Sequence, residues 1–230
     1  MIHAFPRGFN YLIPRGWPIH PAGTSPPEAN PWEVKAVKHR FRGFGIVTRA
    51  LAQYTEQHIS EFIININFLE TGLNCRVFRE ANTEYNNFAT FLRQPNFTCL
   101  DLALLVGGQE DREWRCYKSG LHAALREAKN LQQISLHTNV KSDPAADNTA
   151  RGTSGGSHVQ FMSLRIIFPV DAWSNLRRFR LSGFLINKDD LVSFLSACPD
   201  TLRSLHLRAS CISFTMVATG LLFSLICARN

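Results

Sequence analysis

Leu176-Arg-Arg-Phe179-Arg-Leu181 and Leu202-Arg-Ser-Leu205-His-Leu207 are two copies of one six-residue pattern, apolar at its first, fourth and sixth positions. The alternation at its end decides how the backbone runs. Phe179 and Leu181, two apart, fall on one side of an extended strand, and Arg178, Arg180 and Ser182 fall on the other. Between the copies, Leu191, Phe194 and Leu195 recur at helical spacing within Lys188 to Cys198, and Pro199 closes the segment. One strand and one crossover helix cannot bury their apolar faces alone, so such units must stack on one another.

Working outward, the same pattern returns at Ile59–Phe62–Ile64, at Phe97–Leu100–Leu102 and at Leu131–Ile134–Leu136. It is the strand half of a leucine-rich repeat. Helices are expected between the strands. The first runs from Phe44 to His58 with Val47, Leu51 and Tyr54 on one face, and the second from Glu84 to Leu92 with Tyr85, Phe88, Phe91 and Leu92. The third runs from Leu121 to Lys129, closed by Asn130 in the left-handed conformation. Gly107-Gly108 opens a polar loop; no Gly-Lys-Ser/Thr follows, so it is no phosphate-binding loop. Residues 141–157 hold nothing apolar larger than alanine and read as a flexible insertion. Phe161 to Phe168 returns the chain to the core, and Pro169 and Trp173 mark the turn into the next strand, with Trp173 read as core.

The anchors Ile64, Leu102, Leu136, Leu181 and Leu207 are spaced 38, 34, 45 and 26 residues apart, whereas ordinary leucine-rich repeats run ~20–29. The fold expected is therefore α/β, an irregular leucine-rich-repeat-like solenoid of parallel strands with right-handed helical crossovers. Residues 1–34 read as an irregular or disordered arm, 35–210 as the repeat domain and 211–230 as a hydrophobic tail.

Composition bounds the rest. The chain has 230 residues, 45% of them hydrophobic, which excludes global disorder. A net charge of +7 and a pI near 9.3 invite a nucleic-acid reading, but Lys and Arg are scattered with no run of five like charges, so no nucleic-acid partner is inferred. The six cysteines show no C-x-x-C spacing, so no metal site is read. They are expected to be reduced and buried as small hydrophobes, which points to the cytoplasm or nucleus. The N-terminus lacks a basic region followed by an apolar run, so no secretory signal is expected.

No spacing assembles a catalytic set: there is no G-x-S-x-G and no H-E-x-x-H, so no catalytic residue, cofactor or enzymatic activity is expected. What the strands offer is a face. Outward positions make a strip from Glu61, Ile63 and Asn65 through Asp101 and Ala103 to Gln133, Ser135 and His137. The strip continues through Arg178, Arg180 and Ser182 to Ser204, His206 and Arg208. It runs from acidic to basic. The candidate partner-binding residues are Arg178, Arg180, His206, Arg208, His137 and Asp101, and the partner expected is a protein presenting an acidic segment to the arginines.

Thr71-Gly-Leu-Asn-Cys-Arg76, Leu100-Asp-Leu-Ala-Leu-Leu-Val-Gly-Gly-Gln109, and Ile167-Phe-Pro-Val170 followed by Trp173-x-x-Leu-Arg177 resemble the repeat region of fungal F-box proteins. The resemblance spans roughly Phe41 to Leu207. It implies a substrate-holding repeat surface of a cullin-type ubiquitin ligase. Met1 to Ala36 departs from that family: it has no Leu-Pro and acidic opening of an F-box. The repeat half is matched without the adaptor-binding half, so the cullin adaptor is not an expected partner.

Cys211 to Ala228 carries no charge and includes Ile212, Phe214, Val217, Leu221, Leu222, Phe223, Leu225 and Ile226. A spanning helix needs about 20 apolar residues, so this one is short. Three readings stay open: a membrane anchor, a last crossover helix capping Leu205–Leu207, or the truncated product of a longer repeat protein.

Overall fold

The computed structural model describes residues 33, 35–54, 56, 58–64, 72–105, 111–138, 163–184, 186, 188–208 and 222–225. Six parallel strands pair in chain order: Glu61–Ile64 (β1), Cys99–Leu105 (β3), Gln133–Thr138 (β4), Arg178–Ser182 (β5), Ser204–Arg208 (β6) and Leu222–Leu225 (β7). A two-residue strand, Leu73–Asn74 (β2), also pairs parallel with β3. Helices fill the crossovers: Lys35–Arg40 (α1) and Arg42–Gln53 (α2) precede the sheet, and Thr83–Leu92 (α3), Asp111–Glu127 (α4), Leu164–Ile167 (α5) and Lys188–Ala197 (α6) lie between strands. They neighbour one another in the same order, α1 to α6, as a layer over the apolar side of the sheet.

The register follows from the six-residue pattern. Ile64, Leu102, Leu136, Leu181 and Leu207 lie side by side in one row, and Phe62, Leu100, Ile134, Phe179 and Leu205 in a second. Both rows are buried. The first apolar residue of the last four patterns is buried too, at Phe97, Leu131, Leu176 and Leu202, whereas Ile59 is partly buried. Each sits just before its strand, where its N–H closes a turn onto the carbonyl three residues back: Phe97 onto Gln94, Leu131 onto Ala128, Leu176 onto Trp173 and Leu202 onto Pro199, at 3.0 to 3.2 Å.

The next contact repeats as well. One carbonyl in each unit accepts two consecutive N–H groups from the following unit. Ser60 accepts from Thr98 and Cys99, Thr98 from Gln132 and Gln133, Gln132 from Arg177 and Arg178, and Arg177 from Arg203 and Ser204, all at 2.8 to 3.0 Å. Buried backbone groups need partners, and the same device supplies them four times.

The core is one continuous cluster with an aromatic mass at each end. Phe88 of α3 touches Phe44, Phe62 and Phe78 at ring separations of 5.7, 5.9 and 6.0 Å. Phe168 meets Phe179, Phe194, Phe184 and Trp173 at 5.0 to 6.5 Å. The middle is aliphatic, with Leu121, Ala124, Leu125 and Ala128 over Ile134 and Leu136. Fully burying one such side chain stabilises by roughly 1.5–3 kcal/mol.

Several expectations need correcting. The stripe of α2 is turned by one position: Phe44, Thr48 and Leu51 are buried, Val47 is half-buried and Tyr54 is 65% exposed. Thr48 tolerates burial because its hydroxyl donates to the Phe44 carbonyl at 2.8 Å. The helix also stops at Gln53, since Tyr54 leaves helical geometry at φ −100 and ψ 80. The helix expected from Leu121 begins at Asp111, inside a polar run. Its segment from Asp111 to Lys118 is rich in good helix formers and free of Gly and Pro, but carries no apolar stripe in its sequence. Asn65, Ile66 and the insertion at 141–157 lie outside the described residues. Leu73 takes the register position opposite Leu104.

Among the described residues, no helix is long and apolar enough to cross a membrane. Within the tail, Leu222–Leu225 extends the sheet on β6, with Leu225 opposite Leu207. This carries the sheet past the boundary drawn at residue 210.

Candidate partner-binding face

On the side of the sheet away from the helices the outward residues form rows. Glu61, Cys99, Gln133, Arg178 and Ser204 make the first, and Ile63, Asp101, Ser135, Arg180 and His206 the second. Ala103, His137, Ser182 and Arg208 make the third. All six candidate residues therefore lie on one face, on neighbouring strands. The carboxylates stand on β1 and β3, the guanidiniums on β5 and β6, and β4 between them carries Gln133, Ser135 and His137.

Arg178, Arg180 and Arg208 are exposed. The side-chain hydrogen bonds and ion pairs found among the described residues do not involve them. Arg178 and Arg180 point the same way two residues apart, Arg180 lies opposite His206, and Arg208 lies opposite Ser182. Outward positions of β5 and β6 include no carboxylate.

The centre of the face is internally bonded. His137 Nε2 lies 2.7 Å from Ser135 Oγ and 3.3 Å from Asp101 Oδ1. Both contacts use the same ring nitrogen. A serine–histidine–aspartate relay needs the hydroxyl on one nitrogen and the carboxylate on the other, so these three residues lack relay geometry. A single Nε2 also cannot serve both groups well, and Asp101 Oδ1 is buried without a hydrogen-bond partner among the described residues. This convergence was not legible from sequence spacing, because it joins residues of two strands and appears only once Asp101 is paired with Ser135.

Two outward positions are less open than the alternation implies. Ala103 is fully buried and Ser135 nearly so. Cys99 departs in the other direction. Cys75 is buried as expected, but Cys99 and Cys198 are half-buried, and Cys99 stands in the first row beside Glu61. Burial pushes its thiol up to about 11, with Glu61 and Asp101 adding to the shift and Arg178 opposing it. It is a neutral thiol rather than a nucleophile at ordinary pH. Cys99 and Cys198 form no disulfide. Among the described residues no group of His, Cys, Asp and Glu could hold a metal ion. Trp173 is fully buried and is no surface anchor.

No family model, no curated protein and no solved structure matches the chain.

Proposed function

We propose that this chain is a protein-interaction module, an irregular leucine-rich-repeat-like solenoid. Its open sheet face receives an acidic segment of a partner protein at Arg178, Arg180 and Arg208. His206 and His137 flank that end, and Asp101 bounds it. The solenoid is supported by the turn and the double-acceptor carbonyl that recur from unit to unit. The binding role is carried by one observation: three exposed guanidiniums share a face with no carboxylate on the outward positions of their own strands. Electrostatic complementarity of this kind orients a partner and speeds its encounter. Glu61 and Asp101 on the same face would repel a phosphate backbone, which favours a protein over a nucleic acid.

On the resemblance to F-box repeat regions, the partner is a protein held for modification. The thiols of Cys99 and Cys198, which form no disulfide, favour a reducing compartment, cytoplasm or nucleus. The test is titration of the full chain with a glutamate-rich 12-residue peptide at low salt, for the wild type and for Arg178→Glu/Arg180→Glu/Arg208→Glu. Saturable, salt-sensitive binding lost in the triple variant, with far-UV circular dichroism unchanged, is the expected result. Equal binding by both chains would overturn the proposal. In a purified two-component assay the chain should not bind the cullin adaptor; tight binding there would show an adaptor site and restore the ligase.

A further inference from the structure

The face is dipolar as well as basic, and the strand spacing gives the dipole a length. Asp101 on β3 and Arg180 on β5 occupy the same row, separated only by Ser135 on β4. Neighbouring strands lie about 4.8 Å apart, so the backbone positions that carry the two side chains stand roughly 10 Å apart across the strands. Ser135 between them is nearly buried, with the His137 imidazole 2.7 Å from its hydroxyl and 3.3 Å from Asp101 Oδ1.

We infer that the occupant is an extended segment lying across the strands, carrying one basic and one acidic side chain three residues apart. This rests on the open face being the interaction surface proposed above. A polyproline II segment rises about 3.1 Å per residue with three residues per turn, so positions i and i+3 share one side about 9 Å apart. That matches the Asp101–Arg180 separation. A β-strand does not, because its i and i+3 side chains point to opposite sides. The basic residue meets Asp101, reinforced by Glu61 on the neighbouring strand. The acidic residue meets Arg180, reinforced by Arg178 and by Arg208 on the far side. Running the segment in the opposite direction exchanges the order of the two charges but preserves their separation. The polyproline conformation is already populated in unfolded chains, so ordering it costs little.

Neutral 12-residue peptides rich in Pro and Ala test this. Each carries one Arg and one Glu, at separations from one to seven, with a glutamate-only peptide as control. All are titrated against the full-length chain by fluorescence anisotropy at low salt. Separation three is expected to bind at least about tenfold tighter than separations one, two and five, and Asp101→Asn is expected to erase that preference. Glutamate-only binding with no dependence on separation would overturn the dipolar segment but leave the interaction face standing. A maximum at separation seven would overturn it in favour of a helical occupant, whose i and i+7 positions stand about 10.5 Å apart. Absence of binding by every peptide, the control included, would overturn both readings.

Discussion

Trp173 donates its indole N–H to the backbone carbonyl of Leu125, 3.1 Å away in the buried interior. The bond ties the turn entering β5 to the last turns of α4, across the joint between the aliphatic middle of the core and its second aromatic mass. The Leu125 carbonyl also receives the Ala128 N–H at 3.2 Å, so losing the indole does not orphan it. Trp173→Phe should therefore cost about 1–2 kcal/mol, whereas Trp173→Ala, which opens a cavity beside Phe168, should cost about 3–5 kcal/mol. Urea unfolding of both variants measures the difference. Equal losses would mean that the indole's bond, not its volume, dominates.

Two helical glycines should respond to alanine with opposite signs. A Cβ at Gly45 in α2 meets nothing closer than Glu84 Cγ at 3.5 Å, so Gly45→Ala should stabilise by about 0.5–1 kcal/mol through helix propensity alone. A Cβ at Gly120 in α4 would lie 1.9 Å from the Phe78 carbonyl oxygen, which is backbone and cannot turn aside. Gly120→Ala should destabilise by about 1–3 kcal/mol despite the better propensity. Thermal unfolding of the two single variants reads the signs directly.

The thiols of Cys99 and Cys198 are pushed up to about 11, at both positions chiefly by burial. Against the ordinary thiol value of 9.0, the thiolate fraction at pH 8 falls about a hundredfold. Iodoacetamide labelling followed by mass spectrometry should find both cysteines about two orders of magnitude slower in the folded chain than in urea. Because these folded values are raised, the stability they contribute is complete below pH 9 and is lost as pH rises toward 11. Fast labelling of Cys99 at pH 8 would show that the first row of the face is more open than its burial implies.

Glu127 and Arg93 pair at 2.8 Å between the end of α4 and the residue that follows α3. The hydrogen bond from Arg93 holds the Glu127 carboxyl below its usual range, against a smaller opposing effect of burial. A depressed folded value means that the pair stabilises above the unfolded carboxylate range and loses that contribution as pH falls through the folded value. Both side chains are partly exposed, Arg93 at 62% and Glu127 at 34%, so the effect is small and screened by salt. Glu127→Gln should lower stability at pH 7, converge with the wild type in acid, and do so less visibly in 0.5 M salt. A difference that persists below pH 3 would locate the loss in packing instead.

Much of the fold is legible in the sequence because its determinants are local. The recurring apolar triplets, from Phe97–Leu100–Leu102 to Leu202–Leu205–Leu207, set strand direction, buried side and pairing order, and their last residues stand in one row of the sheet. The same alternation put Arg178, Arg180, His206 and Arg208 on the open face. Where propensity rather than patterning rules, as from Asp111 to Lys118, a search for apolar stripes failed. It failed again at Thr48, whose burial depends on a hydroxyl bonding its own helix.

Only the tertiary structure decided what stands beside what across strands. Asp101 and His137 are 36 residues apart in sequence, and no pattern along one strand reveals that one imidazole nitrogen faces both Ser135 and Asp101. Cys99 reads as a core position until its row places it beside Glu61 on the open side, and Leu222–Leu225 reads as tail until it pairs with β6. The reason is physical: alternation is a property of one strand's own backbone, whereas lateral proximity depends on the register between strands, set by the packing of helices that lie elsewhere in the chain.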